Sequence, residues 1–131
     1  MLLTKDAFGK DFIWGVSTAA YQIEGAHELH GKGPSIWDIF VQKRNRIFQN
    51  QHGNEACDFY NRYVQDLHLM KGMHIPNYRF SLSWSRIFPG GIGEVNQSGL
   101  DFYDRLIDLS LELGITPWVT LYHWDLPHAL E

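Results

Sequence analysis

Pro76-Asn77-Tyr78-Arg79-Phe80-Ser81-Leu82-Ser83, then Pro89-Gly90-Gly91-Ile92-Gly93, then a run from Asn96 to Gly114, then Thr116-Pro117-Trp118-Val119-Thr120-Leu121-Tyr122. Read in order, these residues spell strand, turn, helix, strand. Tyr78, Phe80 and Leu82 alternate with polar neighbours, which is the period-two pattern of a strand, and Pro76 marks its entry. From a cap at Asn96 or Ser98 to a stop at Gly114 the pattern turns helical. At about 100° per residue, Asp101, Asp104, Arg105, Asp108 and Glu112 share one narrow arc. Leu100, Phe102, Tyr103, Leu106, Ile107, Leu109, Leu111 and Leu113 fill the rest. So wide an apolar face predicts a helix lying on a sheet and touching neighbouring helices. Strands alternating with helices predict parallel pairing through right-handed crossovers.

The same pattern extends in both directions. Phe12-Ile13-Trp14-Gly15-Val16-Ser17 is a short β-prone run and reads as strand one. Thr18 to Gly53 is a long connection with one helical hint around Ser35–Val41, and connections longer than about 15 residues are usually functional. Asn54 suits a cap for a helix starting at Glu55, whose Ala56, Phe59, Tyr60, Tyr63, Leu67 and Met70 recur at steps of three and four. Gly72 suits its end. Leu126-Pro127-His128-Ala129-Leu130 opens a further helix, with Pro127 in its first turn. The order is β, long loop, α, β, loop, α, β, start of α. No repeat, low-complexity stretch or linker interrupts it, so residues 1–131 read as one segment without an internal domain boundary.

Composition narrows the function classes. The chain has 131 residues, 44% hydrophobic and 15% aromatic, with 11 Lys plus Arg against 15 Asp plus Glu, for a net charge of −4. Those aromatics argue for a packed globular chain. The acidic excess argues against a nucleic-acid or anionic-membrane partner. No apolar run approaches the roughly 20 residues of a membrane helix. Cys57 is the one cysteine, so no intrachain disulfide forms, and it reads as a packing residue beside its helix's apolar face. Met1-Leu2-Leu3-Thr4-Lys5-Asp6 is too polar for a signal peptide, and the expected location is cytoplasmic.

In parallel α/β architectures, ligand-contacting groups lie just past the carboxyl ends of the strands. Those positions are Ser17 through Glu24, Ser83-Trp84, and His123-Trp124-Asp125. Every strand end brings polar groups and an aromatic to one rim. Gln22, His123 and Trp124 suit a polyhydroxylated ring, whose C–H face lies on an aromatic while its hydroxyls take fixed hydrogen-bond partners.

These residues also carry a resemblance. Phe12 through Ala26 (FIWGVSTAAYQIEGA) is similar to the amino-terminal signature of glycoside hydrolase family 1, the β-glucosidase family. The likeness continues through Gly33–Asp38 (GPSIWD), Ala56–Tyr63 (ACDFYNRY), Tyr78–Ile87 (YRFSLSWSRI) and Thr120–Pro127 (TLYHWDLP). It implies the amino-terminal part of a (β/α)8 TIM barrel, strands one to three with their helices, within a fold that needs about 250 residues. It implies a retaining glycosidase that acts without a cofactor on a small β-glycoside or oligosaccharide. In such a barrel Gln22 and His123 would hold sugar hydroxyls and Trp124 would contact the same ring. Arg79 would lie beneath the site and hold the nucleophile's carboxylate, a buried charge answered by its partner.

A retaining glycosidase needs two carboxylates about 5–5.5 Å apart. The family carries them in an Asn-Glu-Pro and a Glu-Asn-Gly segment, and neither occurs in residues 1–131. This chain is therefore expected to hold no catalytic residue. Glu24, Asp38, Glu55, Glu94, Asp125 and Glu131 match neither motif. Two other readings stay open: a non-catalytic sugar-binding or interaction module, and a phospho-β-glycosidase relative. Among seven histidines only His27 and His30 could meet, and no third ligand stands at metal spacing, so no metal site is expected. Gly90-Gly91-Ile92-Gly93 lacks phosphate-loop spacing and reads as a turn. Asn96-Gln97-Ser98 reads as a cap rather than a glycosylation site. Hydrophobic strands one and three would each leave an open edge, so the segment is expected to need further barrel segments or to self-associate.

Overall fold

In the computed structural model, which describes residues 4–131, three parallel strands form a sheet in the order β1-β2-β3. Residues 1–3, part of the stretch judged too polar for a signal peptide, lie outside the described residues. The strands are β1 (Val16–Ser17), β2 (Asn77–Ser81) and β3 (Thr116–Thr120). The helices are α1 (Ala20–Ile23), α2 (Ile36–Gln42), α3 (Phe59–Gly72), α4 (Trp84–Ile87) and α5 (Gln97–Glu112), and short 3-10 turns include His128–Leu130. Val16 and Ser17 pair with Tyr78 and Arg79, while Asn77 to Ser81 run beside Thr116 to Thr120 in step.

Alternation along β2 sorts its side chains. Tyr78 and Phe80 point to the helix side and are buried there, with Leu67 of α3, Phe102, Tyr103 and Leu106 of α5, and Ile115. Each such side chain contributes about 1.5–3 kcal/mol on full burial. The Tyr60 and Phe102 rings stack with centroids 4.5 Å apart, joining α3 to α5. On α5 the polar arc faces outward as its spacing predicts, but Leu111 is exposed with it.

Three local readings need correction. Strand one covers two residues instead of six. Phe12 and Trp14 gather with Phe8 in a three-ring cluster, with centroids 4.7–5.0 Å apart. The Trp14 carbonyl accepts from the Asn77 side chain instead of a ladder amide. Helix α3 starts at Phe59, not Glu55, because Ala56 and Asp58 take left-handed conformations (φ 50° and 54°) that no α-helix contains. Ala56 and Cys57 therefore precede the helix, and both are exposed. After β2 the chain makes the short helix α4, which the sequence reading passed over.

The long connection is built, not loose. Ser35 caps α2: its Oγ accepts from the Asp38 amide while the Asp38 carboxylate accepts from the Ser35 amide, a reciprocal capping box. Residues 33–38 form a strap across the ends of two strands. The Gly33 amide donates to the Ser85 carbonyl (2.8 Å), the Ile36 amide to Leu126 (2.8 Å), and the His128 amide to Pro34 (2.9 Å). A Cβ on Gly33 would collide with the Pro89 carbonyl, so the strap can lie this close only with glycine there.

Candidate glycone-binding cleft

The segments leaving β1 and β3 meet above the sheet. Helix α1 follows β1 directly, anchored where the Ala20 amide donates to the buried Ser81 Oγ at 2.8 Å. That anchor directs Tyr21 and Gln22 toward the segment leaving β3. With His123 and Trp124 they line one open cleft of about 540 Å³, whose other wall includes Trp37 of α2 and His52. Gln22 and Trp124 are exposed and His123 is half-buried. The three residues singled out for a sugar ring thus share one cleft. Tyr21 and Trp37 face each other with ring centroids 6.3 Å apart, and the Tyr21 hydroxyl, pushed up in pKa by burial, accepts from the Gly53 amide.

His123 Nδ1 is buried without a protein hydrogen-bond partner among the described residues. Trp124 stands at φ 72°, left-handed and sterically costly for a bulky side chain, yet 70% exposed. Its flat ring is thereby left open to solvent. The arrangement offers amide and imidazole hydrogen-bonding groups beside aromatic faces, the combination that binding a polar ring requires.

Arg79 lies elsewhere. Strand alternation puts it on the face away from the helices, where it is exposed and its Nη1 donates to Ser17 Oγ at 3.4 Å. It lines a separate groove with Trp118 and Asn77, whose side chains bond at 3.0 Å. The expectation of a buried Arg79 is not met within these residues.

The buried arginine is Arg86, on α4, at 1% exposure. Its Nε donates to Glu24 Oε2 at 2.9 Å and its Nη2 to the Gly25 carbonyl at 3.1 Å, with the guanidinium 4.3 Å over the Tyr60 ring. Tyr103 donates to Glu24 Oε1 at 2.6 Å and accepts from the Ser83 amide at 2.7 Å. Burial, and then the Glu24 charge, push the Tyr103 hydroxyl well above its ordinary pKa, so it remains a donor. Sequence reasoning missed this cluster. The one trace of it in the sequence is weak: Glu24 and Arg86 carry opposite charges and each lies a few residues past one of two adjacent strands.

Comparison with known proteins identifies the family. The family model for glycosyl hydrolase family 1 matches residues 4–131. Beta-glucosidase A of Acetivibrio thermocellus is 57% identical over 98% of this chain and 29% of its own length. The aryl-phospho-beta-D-glucosidase BglC of Bacillus subtilis is 52% identical over 95% of this chain and 26% of its own. The beta-glucosidase of Thermotoga maritima, solved in complex with glucoimidazole, superimposes with a TM-score of 0.89 at 53% identity. That match covers 91% of this chain and 27% of the other. The chain spans between a quarter and a third of the relatives it matches.

Proposed function

Because the chain belongs to glycosyl hydrolase family 1, and its fold is the amino-terminal part of that family's barrel, we propose that it supplies part of the glycone pocket of a retaining β-glucosidase-like enzyme. The whole barrel would release terminal β-linked glucosyl or galactosyl residues. The observation that carries this reading is the meeting of Gln22, His123 and Trp124 in one cleft beyond the carboxyl ends of the strands. Gln22 and His123 would bond the sugar's hydroxyls while Trp124 takes its apolar face. Such contacts accelerate hydrolysis to the extent that they tighten as the ring flattens toward its oxocarbenium-like transition state.

The two carboxylates, and the covalent glycosyl–enzyme intermediate they imply, would come from outside this segment. Arg79 would receive the nucleophile's carboxylate. Its exposed guanidinium, bonded among the described residues to Ser17 alone, supports that role, since a partner brought by another barrel strand would both bury and neutralise it.

A phospho-β-glycosidase is the second reading, supported by the identity to the Bacillus subtilis relative. One pair of assays separates the cases. Residues 1–131 alone are expected to release nothing from an aryl β-glucoside. A complete barrel carrying the segment is expected to hydrolyse that glucoside with retention of anomeric configuration. Turnover only on a 6-phosphorylated glucoside selects the second reading. Turnover by the purified segment, or by neither form on either substrate, overturns both.

A further inference from the structure

Beneath the cleft lies a second, much smaller cavity of about 10 Å³, walled by polar groups from several segments. Glu24 comes from the end of α1, Lys32 from just before the strap, Ser35 and Asp38 from the strap itself, Ser83 from the turn between β2 and α4, and Asp125 from the segment after β3. The charges do not balance there. Glu24 is paired with Arg86 at 2.9 Å and Asp38 with Lys32 at 3.0 Å, which leaves Asp125 without a cation of its own. Asp125 is 2% exposed, and its Oδ1 has no protein hydrogen-bond partner among the described residues. Burial raises its pKa, an effect that the backbone amides of Asp125 and His123 partly offset.

The guest this cavity would accept is defined by elimination. Its volume is that of one water, for which roughly 10–15 Å³ is needed. Lys32 in the wall disfavours a cation and three carboxylates disfavour an anion. A lining that includes charged and hydroxyl side chains and a buried acceptor without a partner is not that of a dry void. We propose that this cavity binds one water molecule that donates to Asp125 Oδ1, and that Asp125 is thereby a positioning residue for Trp124. A bulky residue at φ 72° persists only where its surroundings over-determine it. One restraint is already plain: Leu126 and His128 are stitched to the strap. The hydrated Asp125 is the other, directly next to Trp124. It ties the β3 segment to the α1 segment that carries Gln22, and so sets the spacing of the cleft.

The effect on sugar binding rests on the glycone-pocket reading, whereas the water site does not. High-resolution crystal structures of the complete barrel, as wild type, Asp125→Asn and Asp125→Leu, test the site. An ordered water within hydrogen-bond distance of the side-chain oxygen is expected in the first two and not in the third, where Trp124 leaves the left-handed region. A wild-type cavity without water, or a direct protein bond to Asp125 Oδ1, overturns the proposal. So does an unmoved Trp124 in Asp125→Leu. Should that variant fail to fold, the wild-type and Asp125→Asn structures decide alone. Glucoimidazole titration supplies the second readout: Asp125→Asn is expected within about threefold of wild type and Asp125→Leu at least about tenfold weaker. Equal affinity for all three overturns the positioning role. A hydrated wild type that does not bind glucoimidazole breaks the glycone reading and leaves the water site standing.

Discussion

Tyr78 and Arg79 are neighbours on one strand, yet their side chains have very different environments. On the helix side of β2, Tyr78 and Phe80 are fully packed, and beyond them a buried ion pair, its tyrosine donor and a π-face are closed around Arg86. On the other side, Arg79 and Trp118 are exposed, and past β3 so are Leu121 and Tyr122. One face is largely packed within these residues, although Val119, beside Phe80, is still 41% exposed. The other offers large apolar side chains and a lone guanidinium, as a sheet does when its remaining partners come from elsewhere in a barrel. The difference teaches that stability and binding are divided between the faces: the helix side holds the rim in place, and the rim and open side await company.

The strongest way to break this contrast is to isolate the segment. Losing the burial of several side chains at about 1.5–3 kcal/mol each would cancel the roughly 5–15 kcal/mol that keeps a domain folded. Residues 1–131 alone are therefore expected to associate, or to unfold without a sharp transition, in sedimentation and denaturant titration. A compact monomer with a cooperative transition would mean that the open face needs no partner.

Next in size is the closed side. In a complete barrel Arg86→Ala strands the Glu24 carboxylate in the interior, and breaking a buried pair in this way costs about 3–5 kcal/mol. The denaturation midpoint should fall accordingly, and a loss below about 1 kcal/mol would show the pair to be dispensable.

Third comes the cleft. Gln22→Ala and His123→Ala should each lower kcat/KM on the order of a hundredfold, corresponding to about 2–3 kcal/mol of transition-state binding. Asp108→Ala, on the solvated arc of α5, should stay within about twofold. Equal effects from all three would place the pocket elsewhere. The smallest effect belongs to the strap, where Ser35→Ala removes the α2 cap for about 0.5–2 kcal/mol in unfolding experiments.

Legibility followed the range of the interactions. Helix α5 and strands β2 and β3 could be read because apolar periodicity records which side is buried, and the parallel order followed. The start of α3 could not, since alanine rarely takes the left-handed turn found at Ala56, and aspartate, though it takes it more readily, does so too seldom for Asp58 to announce one. Strand one read too long because Phe12 and Trp14 are as good in a ring cluster as in a ladder. Gln22, His123 and Trp124 were legible from position, past strand ends, whereas Trp37 and His52 of the same cleft come from the long connection and carried no such mark. The Glu24–Arg86–Tyr103 cluster was not, because an ion pair across many residues leaves no period behind. Arg79 was expected to be the buried guanidinium, but strand alternation turns it outward, and the buried one is Arg86 on the short helix α4, which no alternation announces.

The strap has a consequence for how the chain comes into being. Pro34 and Ile36 leave the ribosome roughly ninety residues before their partners Leu126 and His128. Contacts of such high sequence separation form late and slow folding, because the intervening chain must first be ordered to bring them together. During synthesis the first-made half of the rim therefore waits, exposed and unlatched, until β3 is out and seated. Translation speed across residues 40–120, rather than local helix propensity, would set how long that interval lasts.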